Sequence, residues 1–282
     1  ALICAVIWLW NQKDPVIEIK LLKNPAFGLS CLSIFCVGAA LYSSSALLPM
    51  VTQGYFGYDA FLAGLVLSPA ALILLVMMPI SGRLVTKFQP SHMIAFGFAA
   101  SAIGMWVTSH ITPQVDYATF VMFRTLQIVG LPFLFVPVST MAFADIPKEM
   151  SNKASALYSL SRNIGGSIGI ALTTSYISRQ MQLHQSGLSE NFSTSSPVYQ
   201  KILFDQTAFF KEQGYTAAQS SQMAFSHIYQ ELLTQSAILS YGDAFLILSY
   251  VMMALSVIAL LFMPRRKKVV SAGVDPEMMP AH

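Results

Sequence analysis

Charge is scarce in this sequence. Lys, Arg, Asp and Glu make up 10% of the residues, against roughly 25% in an ordinary soluble domain, and the mean hydropathy is +0.59. So few charges cannot clothe a water-facing surface, which excludes a soluble globular protein. The net charge of +3 does not gather on one face, because the basic residues fall between apolar runs. No nucleic-acid patch is expected. Cysteine is nearly absent: Cys4, Cys31 and Cys36 all sit inside apolar runs. Cys31 and Cys36 are five apart and point to different faces of a helix, so neither a disulfide framework nor a thiolate metal site fits. The three thiols read as small hydrophobes. His92, His110, His184, His227 and His282 are scattered, with no HExxH, CxxC or GxxxxGK[ST] among them. No metal, no cofactor and no enzymatic or nucleotide-driven step is expected of this stretch.

What the chain has instead is long apolar runs. Six of them, residues 26–50, 60–80, 92–109, 117–142, 156–178 and 242–263, share only three charged residues, Arg124, Arg162 and Asp243. A spanning helix needs about 20 apolar residues to cross roughly 30 Å of hydrocarbon. Backbone amides in lipid must be paired within the segment, so such runs are helices. The fold class expected is all-α integral membrane. Residues 1–10 lack an initiator Met, a charged n-region and a cleavage site, so they do not read as a signal peptide. They are too short to span and read as the last turns of a preceding helix. The organisation expected is that helix end plus an inner loop over 1–25, five spans over 26–178, a long outer segment over 179–241, a last span over 242–263 and a tail over 264–282.

Loop charge orients the spans. One alternate set of loops holds Lys13, Lys20, Lys23, Arg83, Lys87, Lys148, Lys153, Arg265, Arg266, Lys267 and Lys268; the other holds only Arg179, Lys201 and Lys211. The positive-inside rule puts the first set in the cytoplasm. In the outer segment, Thr216 and Gln219 read as a capping box, and Met223, Ile228, Leu232 and Leu239 recur near helical spacing.

The polar groups inside the spans are the candidate functional residues. Arg124 and Arg162 lie about 10 Å inside their runs at 1.5 Å per residue. An intramembrane arginine costs at least ~2.5–3.5 kcal/mol on insertion scales and usually faces a bundle interior or water cavity. Arg124 reads equally as a snorkelling packing group or a functional cation. Arg162, with Asn163 next to it and Tyr158 one turn before, reads as a gating residue, with a structural ion pair as the alternative. Gly165 and Gly169, with Gly166 between them, form a small-xxx-small pair for close helix contact. Pro69 and Pro79 interrupt the second run, and Pro132 and Pro137 the fourth, where proline removes a backbone bond and bends the chain.

The stretch 79–92, PISGRLVTKFQPSH, resembles the loop signature of the major facilitator superfamily, of the form GxLaDrxGrr. Gly82, Arg83 and Lys87 occupy the loop, with Thr86 at the acidic position and Gln89 at the second glycine. The stretch 124–170 resembles the EmrB/QacA group of fourteen-span multidrug efflux proteins, above all around residues 157–171. The leading DPVIEIKLLKNPAF and the outer YFGYDAFLAGL look like that group too. The resemblance implies a six-helix C-terminal half made of two inverted three-helix repeats. The first helix of each repeat lines a substrate cavity, the second flanks it and the third faces lipid. On that mapping Tyr42, Ser43, Ser44 and Gln127 line the cavity, and Arg124, Tyr158, Arg162 and Asn163 serve gating or coupling. The implied partners are the N-terminal half of the same transporter, hydrophobic or cationic small molecules, protons, the lipid bilayer and a periplasmic adaptor protein. The implied place is the bacterial inner membrane. Two other readings stay open: transport of one dedicated metabolite, and a non-transporting scaffold or receptor.

Overall fold

The helices begin where short polar side chains can cap them. The computed structural model describes residues 19–144, 146–191 and 197–262, and every regular element among these is helical. The helix end expected over 1–10 and the tail after 263 lie outside the described residues. A 3-10 turn, Ile19–Lys23, leads into α1, Pro25–Tyr55. The side-chain oxygen of Asn24 accepts from the Ala26 amide at 3.0 Å, and Pro25 occupies the first turn, where a missing N–H costs nothing. α2, Ala60–Lys87, begins with the Leu62 amide donating to Asp59 at 2.7 Å. α3, Pro90–Ser109, again opens on a proline.

The fourth span is split into α4, Tyr117–Val129, and α5, Pro132–Phe143. Pro132 has no amide for the ladder, so the chain breaks at Gly130–Leu131 and restarts on the proline. Asp116 caps α4, and hydrogen bonds from the hydroxyl and amide of Thr119 hold its carboxylate below the usual range. Pro69, Pro79 and Pro137, also expected to interrupt, lie within unbroken helices; an apolar surrounding leaves the flanking backbone no alternative to helix. A turn at Lys148–Met150 precedes α6, Ser151–Asn191; α7, Pro197–Glu212, and α8, Ala217–Phe262, are the last of the described elements.

The packing pairs the two trios crosswise. α1 lies along α6, the α4–α5 span lies along α2, and the third helices, α3 and α8, lie along each other. Each first helix thus meets the second helix of the other trio, as two inverted repeats require. Small residues set the close approaches. A Cβ on Gly165 would strike the carbonyl oxygen of Phe35, one on Gly169 that of Ala39, one on Gly38 that of Arg162, and one on Gly166 the ring of Tyr42. A second ridge, Gly97, Ser101 and Gly104 on α3, receives the α4–α5 span at Gly130 and Gln127. Gly165→Val drives a side chain into the Phe35 carbonyl, so a loss of about 1–3 kcal/mol is expected. Thermal unfolding of the purified full-length protein, read by size-exclusion fluorescence, checks this; an unchanged midpoint would mean that the contact is not tight.

Among the described residues five segments are long and apolar enough to cross a membrane: α1, α2, α3, the α4–α5 span and α8. α6 has the length but not the hydropathy, because Arg162 and Asn163 fall in the middle of its apolar run; Asn152, Ser155, Asn163, Ser167 and Ser178 form an exposed polar row along it, with Leu160, Ile168 and Ile170 exposed between them. Helices α6 and α8 have 41 and 46 residues, about 60 and 70 Å at 1.5 Å per residue, twice the hydrocarbon thickness. What hydropathy presents as a loop over 179–241 is therefore mainly continuous helix, with α7 packed on α8. The capping box at its base forms: the Gln219 side chain accepts from the Thr216 amide at 3.1 Å. Ile228 and Leu232 are buried, whereas Leu239 faces out; the three share one helix face at about 100° per residue, but that face lies beside Tyr199 of α7 at Ile228 and Leu232 and opens onto a cleft at Leu239.

Candidate functional site

Two apolar clusters fill the bundle, one from Phe27, Ile34, Phe98, Leu134 and Met252, the other from Leu48, Val51, Phe120, Phe123 and Phe245. Between them come polar positions on five of the helices. These are Ser43, Ser44 and Ser45 on α1, Thr108 on α3, Arg124 and Gln127 on α4, Thr173 on α6 and Ser249 on α8. The result is a polar layer across an apolar bundle.

Arg124 is its centre. It is 4% exposed and donates to the Ser44 hydroxyl at 3.1 Å, to Gln127 Oε1 at 3.2 Å and to the Ser45 hydroxyl at 2.5 Å. Gln127 in turn donates to the Thr108 hydroxyl at 2.8 Å, and Thr108 to the Gly104 carbonyl. On the other side of α1, Thr173 donates to Ser43 at 3.3 Å. Arg124 Nε and the Ser101 hydroxyl, both buried, have no partner. Among the described residues no carboxylate lies within ion-pair distance of Arg124; Asp243, the carboxylate within the spans, is hydrogen-bonded to His184 at 2.7 Å. A guanidinium is thus held by neutral oxygens alone, which bind it in place without neutralising it.

Of the four residues expected to line a cavity, Ser43, Ser44 and Gln127 lie inside helix contacts, at 0%, 1% and 2% exposure. The reason is the small-residue spacing, which brings α1 onto α6 and, at Gly104, α3 onto Gln127, while the long Arg124 side chain reaches across to Ser44. Tyr42 is partly open, with its ring over Gly166. Tyr158 and Arg162 share the face of α6 toward α1, and both the Tyr158 hydroxyl and Arg162 Nε are buried without a partner. Asn163 is not with them. It lies about 100° further round the helix, in the exposed polar row. The loop residues Gly82, Arg83 and Lys87 form the end of α2; Arg83 and Lys87 are exposed, cations at a helix C-terminus where the dipole favours them.

Residues 165–169 read Gly-Gly-Ser-Ile-Gly, which satisfies the G-x-S-x-G string of serine hydrolases and qualifies the expectation that catalytic motifs are missing. That motif works at a strand-to-helix turn. Here it lies mid-helix with its outer glycines against α1, and its geometry is that of packing.

The residue profile of the Major Facilitator Superfamily matches residues 2–170. The chain belongs to the major facilitator superfamily. It is 26% identical to the multidrug export protein EmrB of Escherichia coli strain K12, over 85% of this chain and 46% of that protein. It is likewise 26% identical to the colistin resistance protein EmrB of Acinetobacter baumannii, over 92% of this chain and 50% of that protein. The lincomycin resistance protein LmrB of Bacillus subtilis is 28% identical over 58% of this chain and 34% of its own length. The chain spans about half the length of the first two. A multi-pass membrane protein of this superfamily therefore carries an arginine-centred polar layer that the apolar runs by themselves did not reveal. Thr108 and Ser101 were missed; the signal was available in the spacing Gly97, Ser101, Gly104, Thr108, a small-residue ridge of three- and four-residue steps.

Proposed function

We propose that this chain is the C-terminal half of a secondary transporter that exports hydrophobic or cationic small molecules in exchange for protons, in the inner membrane of a bacterium. The observation that carries the reading is the exposed polar row of α6. Asn152, Ser155, Asn163, Ser167 and Ser178 would be costly against acyl chains, so this face belongs against a water-filled path or a second helical half. The names of the relatives, multidrug export and drug resistance proteins, support efflux as the direction. The only carboxylate within the apolar runs is Asp243, already paired with His184, so proton coupling would depend on acidic groups of the N-terminal half. A periplasmic adaptor would meet the projecting ends of α6, α7 and α8.

Substrate-stimulated proton flux by the full-length protein in sealed vesicles tests the function. Flux with several unrelated drugs is expected; flux with a single metabolite would replace multidrug export by a dedicated carrier, and no flux with any would leave a non-transporting membrane protein. Topology has its own test. Cysteines introduced at Ser193 and Ser271 should be labelled from outside and only from inside, respectively, as the loop charges require. Labelling of both from one face would overturn the six-span arrangement.

A further inference from the structure

A polar cleft lies apart from the arginine-centred layer. It measures about 360 Å³ and lies between the end of α3 and the part of α8 that enters the membrane, with Trp106, Ser109, His110, Asp243, Leu246 and Tyr250 around it. Its level in the bilayer is marked by neighbouring rings. Tyr241, two residues before Asp243, meets Tyr55 edge-on at 6.0 Å, and Tyr58 meets Tyr117 at 6.1 Å, an aromatic belt at a membrane–water boundary. Trp106 and Tyr250 are 50% and 63% exposed.

The cleft is rich in acceptors. Asp243 Oδ2 accepts from His184 at 2.7 Å and from Gln180 at 3.3 Å, while Oδ1 has no partner among the described residues. The last turn of α3 ends against it, with the Ser109 carbonyl 2.7 Å from where a Cβ on Gly242 would lie. A carboxylate beside a helix C-terminus makes a local negative field. Away from the cleft the exposed side chains of both helices are apolar through the membrane: Phe96 and Ile103 on α3, Ile247, Val251, Val257 and Leu261 on α8. No polar row like that of α6 exists here, so this side meets lipid.

We propose that the cleft binds the headgroup of an outer-leaflet phospholipid carrying a primary ammonium. The ammonium donates to Asp243 Oδ1, and the acyl chains run down the apolar faces. A primary ammonium keeps three donors and a compact charge; methylation removes the donors one by one. The proposal rests on the membrane arrangement above, whose labelling test is independent of lipid and can fail or succeed separately.

Native mass spectrometry of the full-length protein, exchanged into detergent with equimolar phosphatidylethanolamine, its mono- and dimethyl forms and phosphatidylcholine, tests it without any variant. Retention should fall stepwise with methylation, by roughly tenfold overall, the factor one charge-assisted hydrogen bond supplies. Asp243→Asn should flatten the series. Free ethanolamine should not displace the lipid, because it lacks the acyl chains. Equal retention of all four lipids, a series that survives Asp243→Asn, or displacement by millimolar ethanolamine would each overturn the assignment, the last in favour of a soluble-amine site.

Discussion

Arg124→Ala should lower the folded yield of the full-length protein and abolish its transport. The guanidinium is the only group that joins Ser44 and Ser45 of α1 to Gln127 of α4. Removing it leaves three buried or half-buried acceptors unpaired, and hydrogen bonds to a charged group contribute about 1.5–3 kcal/mol each. Against that stands the cost of the charge itself, at least ~2.5–3.5 kcal/mol in a bilayer, with no carboxylate near enough to offset it. A residue chosen only for packing would therefore be neutral. Arg124→Gln separates the two effects, because an amide can still donate to hydroxyls while the charge is gone. The expected result is a protein that folds, judged by thermal size-exclusion profiles, and fails to drive proton flux. Normal flux in Arg124→Gln would show that the charge has no part in transport, and normal flux in Arg124→Ala would make the side chain a snorkelling packing group.

How much of this was legible beforehand differs by type of signal. Apolar runs mark helices in lipid because the bilayer offers no other solution for the backbone, so the spans and their start residues, Asn24, Asp59 and Asp116, follow closely from the chain. The break after Val129 follows from Pro132. The reach of α6 and α8 beyond the membrane does not, because a helix wetted on most sides has no apolar run to announce it. Its buried positions, Ile228 and Leu232, show only as a weak stripe, which misled at Leu239. The polar layer was half visible. Arg124 and Gln127 stood out as polar residues in an apolar run, but that Ser43 and Ser44 are enclosed depends on how closely Gly38, Gly165 and Gly169 let the helices approach. Ser43 and Thr173 are 130 residues apart, and no local pattern joins them. The same holds for His184 and Asp243, 59 apart.

Arg162→Ala should leave the protein in the membrane and able to bind substrate, yet nearly inactive in transport. Arg162 differs from Arg124 in having no hydrogen-bond or ion-pair partner among the described residues, while its Nε is enclosed against α1. The residue is partly exposed, so its terminal nitrogens are free to meet a group from outside this half. A cation left open in the middle of a span calls for an acceptor, and the N-terminal half is the body that would bring one in one access state and withdraw it in another. A contact of that kind shifts the balance between states by its differential strength alone, which is why binding should survive where cycling does not. The buried Tyr158 hydroxyl one turn away, also unpartnered, would join the same contact. Arg162→Lys should recover only part of the flux, since an ammonium cannot reproduce a bidentate fork. Binding measured by substrate-induced fluorescence change and flux measured in vesicles must therefore separate in Arg162→Ala; if both fall together with folded yield, the residue is part of the α1–α6 packing, and if both stay normal, it does not gate.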